Sequence, residues 1–196
     1  IKISYIAYLR TILDKSLKNV KFKTTIILVM LSIIVPSTVV AQLSSAKKAR
    51  AMQKAVYFWN FAQGCDWPDE HRSGNFVIGI YGDNELFTAL IKGYSSLKRG
   101  SQPFKIVEIN EVSQINGCHM LYVDEAKKNV LESKRKALKS SATLIITNQK
   151  GILNEGSMIN FVYPTPLTEF EVSKSNASKS KLVIGKDISS MAVAVR

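Results

Sequence analysis

One of the two cysteines of the chain stands directly beside one of its two histidines, in the stretch NGCHMLYVD at residues 116–124. Cys118 and His119 are residue types that can serve as a nucleophile with its base, or as ligands of a metal ion. Neighbouring residues of a strand point to opposite faces of the sheet, so these two side chains cannot easily serve each other. The pair is therefore not predicted to be a catalytic dyad.

Other patterns that would indicate a catalytic or metal centre are missing from the sequence. It contains no CxxC, HExxH or phosphate-binding GxxxxGK[ST] motif. His71 falls in the charged stretch Asp69-Glu70-His71-Arg72, which is typical of a solvated turn. We therefore predict no catalytic residue, no metal site and no cofactor.

The turn Gly82-Asp83-Asn84 follows a predicted strand and opens a predicted helix. This is the position at which open α/β sheets tend to bind ligands. Asp83 or Asn84 can cap the helix, and the charge of Asp83 would repel a phosphate. The sequence favours helix capping, with a small-ligand crevice near Gly82–Asn84 as the alternative.

The first 41 residues are typical of a secretory signal region. Lys18, Lys21 and Lys23 precede the apolar run TTIILVMLSIIVPSTVV, and small residues lead to a predicted cleavage after Ala41. An uncleaved membrane anchor is the alternative interpretation of this apolar run. Because residues 1–16 stand in front of the signal, we expect an over-extended reading frame with the true start near Leu17.

Residues 42–196 are predicted to form one exported domain, which is long enough to bury a core without disulfides or metals. Six of the 27 basic and one of the 15 acidic residues precede residue 42, which leaves this domain with a net charge of +7. Its basic residues occur in short runs that are typical of solvated helix faces. Export and this pattern both argue against nucleic acid as a partner, and an anionic membrane surface fits the charge better.

Predicted strands and helices alternate along this domain. Continuous apolar runs predict buried strands at residues 76–81, 104–109, 119–123 and 143–147. Helical spacing predicts helices over residues 46–63, after the turn at Gly82–Asn84, over 125–139, and as one or two pieces in 175–195.

A closing antiparallel hairpin is predicted from MINFVY and TEFEVS, which flank Pro164-Thr165-Pro166. Together these elements predict an α/β fold, a three-layer sandwich with a mostly parallel central sheet flanked by helices. In the helix after the turn, the side chains predicted to face inward are Leu86, Leu90, Ile91 and Tyr94.

Aromatic residues extend the apolar face of the first predicted helix nearly all round. Burial between layers is the favoured explanation, and a partner-binding surface is the alternative. The candidate partner or ligand surface consists of Trp59, Phe61, Trp67, Asp83 and Asn84.

An oxidising compartment permits a disulfide between Cys65 and Cys118, which would join the end of the first helix to the start of a central strand. In the chain-entropy model such a bond would stabilise the fold by roughly 4 kcal/mol. Two buried free thiols are an equally good reading of the same sequence.

Several stretches, taken together, resemble the YfiR family of small periplasmic proteins. They are YFWNFAQGCDWP, FVIGIYGDNEL, CHMLYV, GSMINFV, EFEVSKSNASKSKLVIG and ISSMAVAV, which span residues 57–195 in the family's order. Asn60, Phe61, Trp67, Pro68 and His119 match family positions, while Ser173 stands where the family usually has Asn.

The resemblance implies a periplasmic α/β regulator that binds the outer domain of a membrane-bound diguanylate cyclase or sensor kinase, in cyclic-di-GMP or related signalling. It also implies a disulfide role for the position of Cys118, whose partner position holds Gly79 in this chain rather than Cys65. The sequence therefore predicts a non-enzymatic regulator, with small-ligand binding as the alternative function. Whether the chain also forms a homodimer stays open.

Overall fold

The computed structural model describes residues 10, 14, 15, 42–129, 131, 133, 141–164 and 167–196. The chain divides into two compact units, residues 1–46 and 47–196. In the first unit the described residues are helical. The predicted signal, the cleavage after Ala41 and the start near Leu17 lie outside the described residues, and the domain boundary at residue 42 stays a prediction. Among the described helices, none has the length and apolar character needed to cross a lipid bilayer.

The second unit is a mixed α/β fold. Its helices are α1 (47–64), α2 (Asn84–Tyr94), α3 (Lys174–Lys179) and α4 (Lys186–Met191). Residues 129, 131 and 133 are helical too, and of the helix predicted over 125–139, residues 130, 132 and 134–139 lie outside the described residues. Short 3-10 helices cover Asp69–His71, Val112–Ile115, Glu125–Lys127 and Ile152–Glu155.

The strands are short, and six of the ten coincide with the four predicted apolar runs and the two strands of the predicted hairpin. They are β1 (Cys65–Asp66), β2 (Phe76–Tyr81), β3 (Lys98–Arg99), β4 (Gln102–Glu108), β5 (Met120–Val123), β6 (Leu144–Thr147), β7 (Ile159–Val162), β8 (Glu169–Val172), β9 (Val183–Ile184) and β10 (Ala194–Val195). β1 and β9 form a separate antiparallel pair, and the others form one sheet in the order β10-β8-β7-β6-β5-β2-β4-β3.

The centre of the large sheet is parallel. Strands β4, β2, β5, β6 and β7 all run in the same direction, and β7 and β8 pair antiparallel as the predicted hairpin. The chain leaves β2 towards β4 on one side and later returns to β5 on the other side. The carboxyl ends of β2 and β5 therefore flank a topological switch point, where α/β sheets form ligand crevices.

Burial explains why the central strands read as unbroken apolar runs. Every residue of β5 and β6 is buried, so both faces of the sheet are covered there. Helix α1 covers one face with Ala51, Ala55 and Phe58, and the Phe58 ring lies 6.2 Å from the Tyr122 ring of β5. Small residues at helical spacing let α1 approach the sheet closely, with a phenylalanine filling the space between them.

Helix α2 begins as predicted and differs in its inward face. Asp83 is the N-cap, and its Oδ1 accepts a hydrogen bond of 2.9 Å from the Leu86 amide. Leu86 and Leu90 are buried, while Ile91 remains 39 % exposed, so the prediction for Ile91 is wrong. Residues 86 and 90 are one turn apart, and position 91 is rotated away from their stripe.

The predicted helical tail is only partly helical. α3 and α4 lie within it, and they are separated by β9 and followed by β10. Strands of two residues are too short to show a period of two, so helical spacing was the stronger pattern in this segment.

Candidate functional site

A crevice of about 380 Å³ opens at the carboxyl ends of the parallel strands, at the switch point. Helix α1 forms one wall, and the turns that follow β2, β5, β6 and β7 form the rest. Its lining consists of Lys47, Arg50, Lys54, Gly82, Asp83, Asn84, Glu85, Asp124, Asn148 and Tyr163. The predicted site at Gly82, Asp83 and Asn84 therefore lies inside a larger polar crevice.

A buried ion pair forms the floor of this crevice. The Lys54 ammonium contacts the Asp83 carboxylate, and it also donates a hydrogen bond of 3.0 Å to the Tyr122 hydroxyl. Lys54 is only 4 % exposed, and burial raises the pKa of the Tyr122 hydroxyl, which stays neutral. Because Lys54 neutralises Asp83, the repulsion of an anion that the sequence suggested is offset in the folded protein.

A second polar group belongs to the turns after β5 and β6. Asn148 donates a hydrogen bond of 2.9 Å to the Asp124 carboxylate and accepts one of 2.8 Å from the Glu125 amide. Tyr163, after β7, is hydrogen-bonded to Asn148, and burial together with the charge of Asp83 raises the pKa of Tyr163 to about 12. These bonds hold the Asp124 carboxylate in a fixed position at the rim.

Charged side chains on α1 complete the lining. The Arg50 guanidinium lies 4.9 Å from the centre of the Tyr163 ring, within the range of a cation–π contact. Lys47 stands one turn earlier on the same helix face. The cations of the crevice thus come from α1, whereas Glu85 and the other carboxylates come from the strand ends.

The Cys118-His119 stretch lies at the opposite, amino end of the strands. The His119 Nδ1 accepts a hydrogen bond of 3.1 Å from the Val77 amide, and Nε2 lies 2.9 Å from the His71 carbonyl oxygen. This arrangement needs a neutral ring that carries its proton on Nε2 and donates to His71. Burial lowers the pKa of His119 in agreement with the bonds. His119 therefore holds two loops together as a structural residue.

Trp67 packs into the same region. Its Nε1 donates a hydrogen bond of 3.2 Å to the His119 carbonyl, and its ring meets the Phe76 ring edge-on at 4.9 Å. The Arg99 guanidinium covers the Trp67 ring at 5.1 Å and donates to the Ala62 and Cys65 carbonyls. The amino end is thus closed by side chains whose polar groups are bonded.

The two cysteines are both buried free thiols in the structure. Cys65 lies in the small β1–β9 sheet beside Gly185, whereas Cys118 lies against Gly79 of β2. The disulfide that the sequence permits between them is therefore not formed here, because each sulfur packs into different surroundings. Burial raises the pKa of Cys118 to about 11 and that of Cys65 to about 12, so neither is a thiolate at neutral pH.

The candidate surface of Trp59, Phe61, Trp67, Asp83 and Asn84 is divided by the fold. Phe61 and Trp67 are buried in the core and cannot meet a partner. Trp59 is partly buried, with its ring 5.9 Å from that of Phe104. Only Asp83 and Asn84 line the crevice, so this set of residues does not form one surface.

Sequence reasoning missed most of the crevice, including Lys47, Arg50, Lys54, Asp124 and Tyr163. One signal was available, because Lys54 falls among the apolar positions 51, 55 and 58 of a helix face, and a lysine there needs a buried partner.

Within the described residues, no group of three or more His, Cys, Asp or Glu side chains is placed to hold a metal ion.

Comparison with known proteins gives a family match. No curated protein sequence matches the chain. A crystal structure of a conserved domain protein from Vibrio cholerae O1 biovar El Tor str. N16961 has 10% sequence identity and a TM-score of 0.43. The likeness covers 74% of this chain and 60% of the Vibrio chain.

A family model described as YfiR/HmsC-like matches residues 51–193, well over half of the chain. The family is one of periplasmic regulatory proteins that interact with membrane signalling proteins. The match confirms the resemblance seen in the aromatic, glycine and cysteine blocks of the sequence: the chain belongs to the YfiR/HmsC-like family.

Proposed function

We propose that this chain is a periplasmic regulator that binds the outer domain of a membrane signalling enzyme, a diguanylate cyclase or a sensor kinase, and inhibits or modulates it. The observation that carries the proposal is its membership of the YfiR/HmsC-like family. In this proposal, a cleaved signal in residues 1–41 delivers the chain to the periplasm. Docking then favours the inactive conformation of the partner, so that regulation is a shift of population.

The docking surface that we propose is a strip on α1 made of Lys48, Met52 and Val56, called the α1 strip below. These residues are four apart and so share one helix face, and Met52 and Val56 are 67 % and 50 % exposed. Lys47 and Arg50 add positive charge on the same helix. The partner surface that fits is apolar with an acidic rim, since complementary charge speeds and orients docking.

Site-specific photo-crosslinking in the native cell envelope tests this proposal. A photoreactive residue at position 52 is expected to capture the outer domain of a cyclase or kinase, identified by mass spectrometry. The matched control carries the same group at position 183, an apolar residue that is 60 % exposed on the small sheet. Capture of only a second copy of this chain, or equal capture from both positions, would contradict the proposal.

The crevice favours a second candidate function, the binding of a small ligand. Its volume of about 380 Å³ lies within the range of small-molecule sites, and its place at the switch point is where such sites form. Native mass spectrometry of the protein from the periplasm tests this function. A retained small molecule that is lost on Arg50→Gln would support it, and protein without any ligand at millimolar supply would not.

A further inference from the structure

The lining of the crevice has an unusual balance of charge. Three cations, Lys47, Arg50 and Lys54, face three carboxylates, those of Asp83, Glu85 and Asp124. The pair Lys54–Asp83 is satisfied internally, since both groups are held by one buried ion pair. Two cations and two carboxylates remain.

The four remaining charged groups have no ionic partner of their own. In the described part of the chain, the salt bridges join Lys54 to Asp83, Arg72 to Asp69, and Arg99 to Asp66. Lys47, Arg50, Glu85 and Asp124 take part in none of them. Lys127 packs beside Gly82 of the lining, and its ammonium lies 5.4 Å from the centre of the Tyr81 ring.

These charges are separated by the fold. Lys47 and Arg50 project from α1, whereas Glu85 begins α2 and Asp124 follows β5. The lining therefore carries its unpaired positive charge on α1 and its unpaired negative charge on the turns that follow β2 and β5. A simple anion or a simple cation would meet repulsion from one side, and a molecule that carries both charges would meet attraction from both.

We propose that the crevice binds a zwitterionic small molecule of the amino-acid class, which deepens the small-ligand function proposed above and rests on it. The ligand carboxylate lies against Arg50 and Lys47, because the guanidinium fork suits a carboxylate. Its ammonium lies against Glu85 and Asp124. The polar side chain of Asn84, which is exposed at the rim, offers a hydrogen bond to the rest of the molecule.

Calorimetric titration with a matched set of probes tests the proposal. The twenty free L-amino acids are screened on the purified protein, and the strongest binder is compared with its N-acetyl and its amide derivatives. The first derivative lacks the ammonium and the second lacks the carboxylate. We expect each loss to weaken binding by about tenfold or more, the effect of one charged hydrogen bond.

The outcomes separate the two proposals. If acetate or ethylamine binds and no amino acid does so more tightly, the small-ligand function stands and the zwitterion assignment is wrong. Equal binding of either derivative and its parent also overturns the assignment. If none of these probes binds at millimolar concentration, the zwitterion assignment fails, and the small-ligand function fails as well only if the protein from the periplasm retains no ligand.

Charge-neutral variants assign each end of the ligand. Arg50→Gln is expected to abolish the difference between the amino acid and its amide, and Glu85→Gln the difference between the amino acid and its N-acetyl form. Lys92→Gln and Glu70→Gln are the controls, since both side chains are exposed and outside the crevice. Circular dichroism verifies folding, and a folded Arg50→Gln protein that still discriminates the amide would contradict the proposal.

Discussion

The amino and carboxyl ends of the parallel sheet both contain aromatic and polar side chains, and they differ in how the hydrogen-bonding groups of those side chains are satisfied. At the amino ends, His119 and Trp67 bond to backbone atoms and fill the space between loops. At the carboxyl ends, Lys54 and Asp83 form a floor, and the charges above it face an open crevice. The first is called the closed end below, because the polar groups of His119 and Trp67 are bonded within the protein, and the second is called the open end.

This difference separates the residues that stabilise the fold from the residues that line the candidate ligand site. Cys118, His119 and Trp67 are the residue types that first suggest chemistry in the sequence. In the structure all three are buried. The charged residues at the open end, such as Arg50 and Glu85, belong to no motif that the sequence alone reveals. Placement at the switch point, rather than residue type, makes them a candidate site.

The largest expected effect is at the closed end. Trp67→Ala removes a buried indole and leaves the His119 carbonyl without its donor, so the free energy of unfolding is expected to fall by about 3–5 kcal/mol. Urea denaturation measures it. Trp59→Ala is the matched control, because Trp59 is only partly buried. Equal losses in the two variants would contradict the description of Trp67 as the closing residue.

The second-largest effect on stability is expected at the Lys54–Asp83 ion pair, on the floor of the crevice. Lys54→Met leaves Asp83 without its cation at a position where the carboxylate is only 16% exposed, and we expect a loss of about 3 kcal/mol. Lys48→Met, at an exposed position of the same helix, should change stability little. The double variant Lys54→Met with Asp83→Asn should recover part of the loss, since Asn retains the helix cap. No recovery would mean that Lys54 acts through packing alone.

A smaller effect is expected from pH at the closed end. Since burial lowers the pKa of His119 in the folded protein, the unfolded chain takes up a proton first as the pH falls. Stability should therefore be complete above the ordinary pKa near 6.5 and decline as the pH falls below it. Denaturation curves across this range measure the decline. His119→Gln should remove it and His71→Gln should leave it, and the reverse result would assign the effect to His71.

The smallest effect on the fold is expected from thiol chemistry. With its pKa raised from 9.0 to about 11, Cys118 forms about 100-fold less thiolate than an unperturbed cysteine. Native protein should react with iodoacetamide correspondingly slowly at neutral pH, and both cysteines should react after denaturation. Fast native labelling of Cys118 would contradict the raised pKa of its thiol.

The sequence predicted the central architecture because strands buried on both faces are unbroken apolar runs. β2, β5 and β6 stand out for that reason, and the glycine and asparagine around Asp83 marked the start of α2. The pairs β1–β9 and β8–β10 were missed, because strands of two residues carry no periodic signal. Their pairing depends on long-range contacts that no local pattern records.

The crevice was predicted only in part for a related reason. Gly82, Asp83 and Asn84 are adjacent in sequence, so one turn revealed them. Arg50 and Tyr163 are 113 positions apart and meet only through the fold. For aromatic residues such as Phe61 the sequence allowed both burial and a partner surface, because apolar character all round a helix does not show which side faces water.

The contact between Gly79 and Cys118 has a consequence for how oxidation sensitivity arises in this fold. A Cβ built on Gly79 would lie 2.7 Å from the Cys118 sulfur, with β2 and β5 already paired in register. A cysteine at position 79 would thus stand directly against the Cys118 sulfur, which would have to shift to accept it. A single substitution at position 79 would therefore bring a second thiol to Cys118 at a place outside the lining of the crevice.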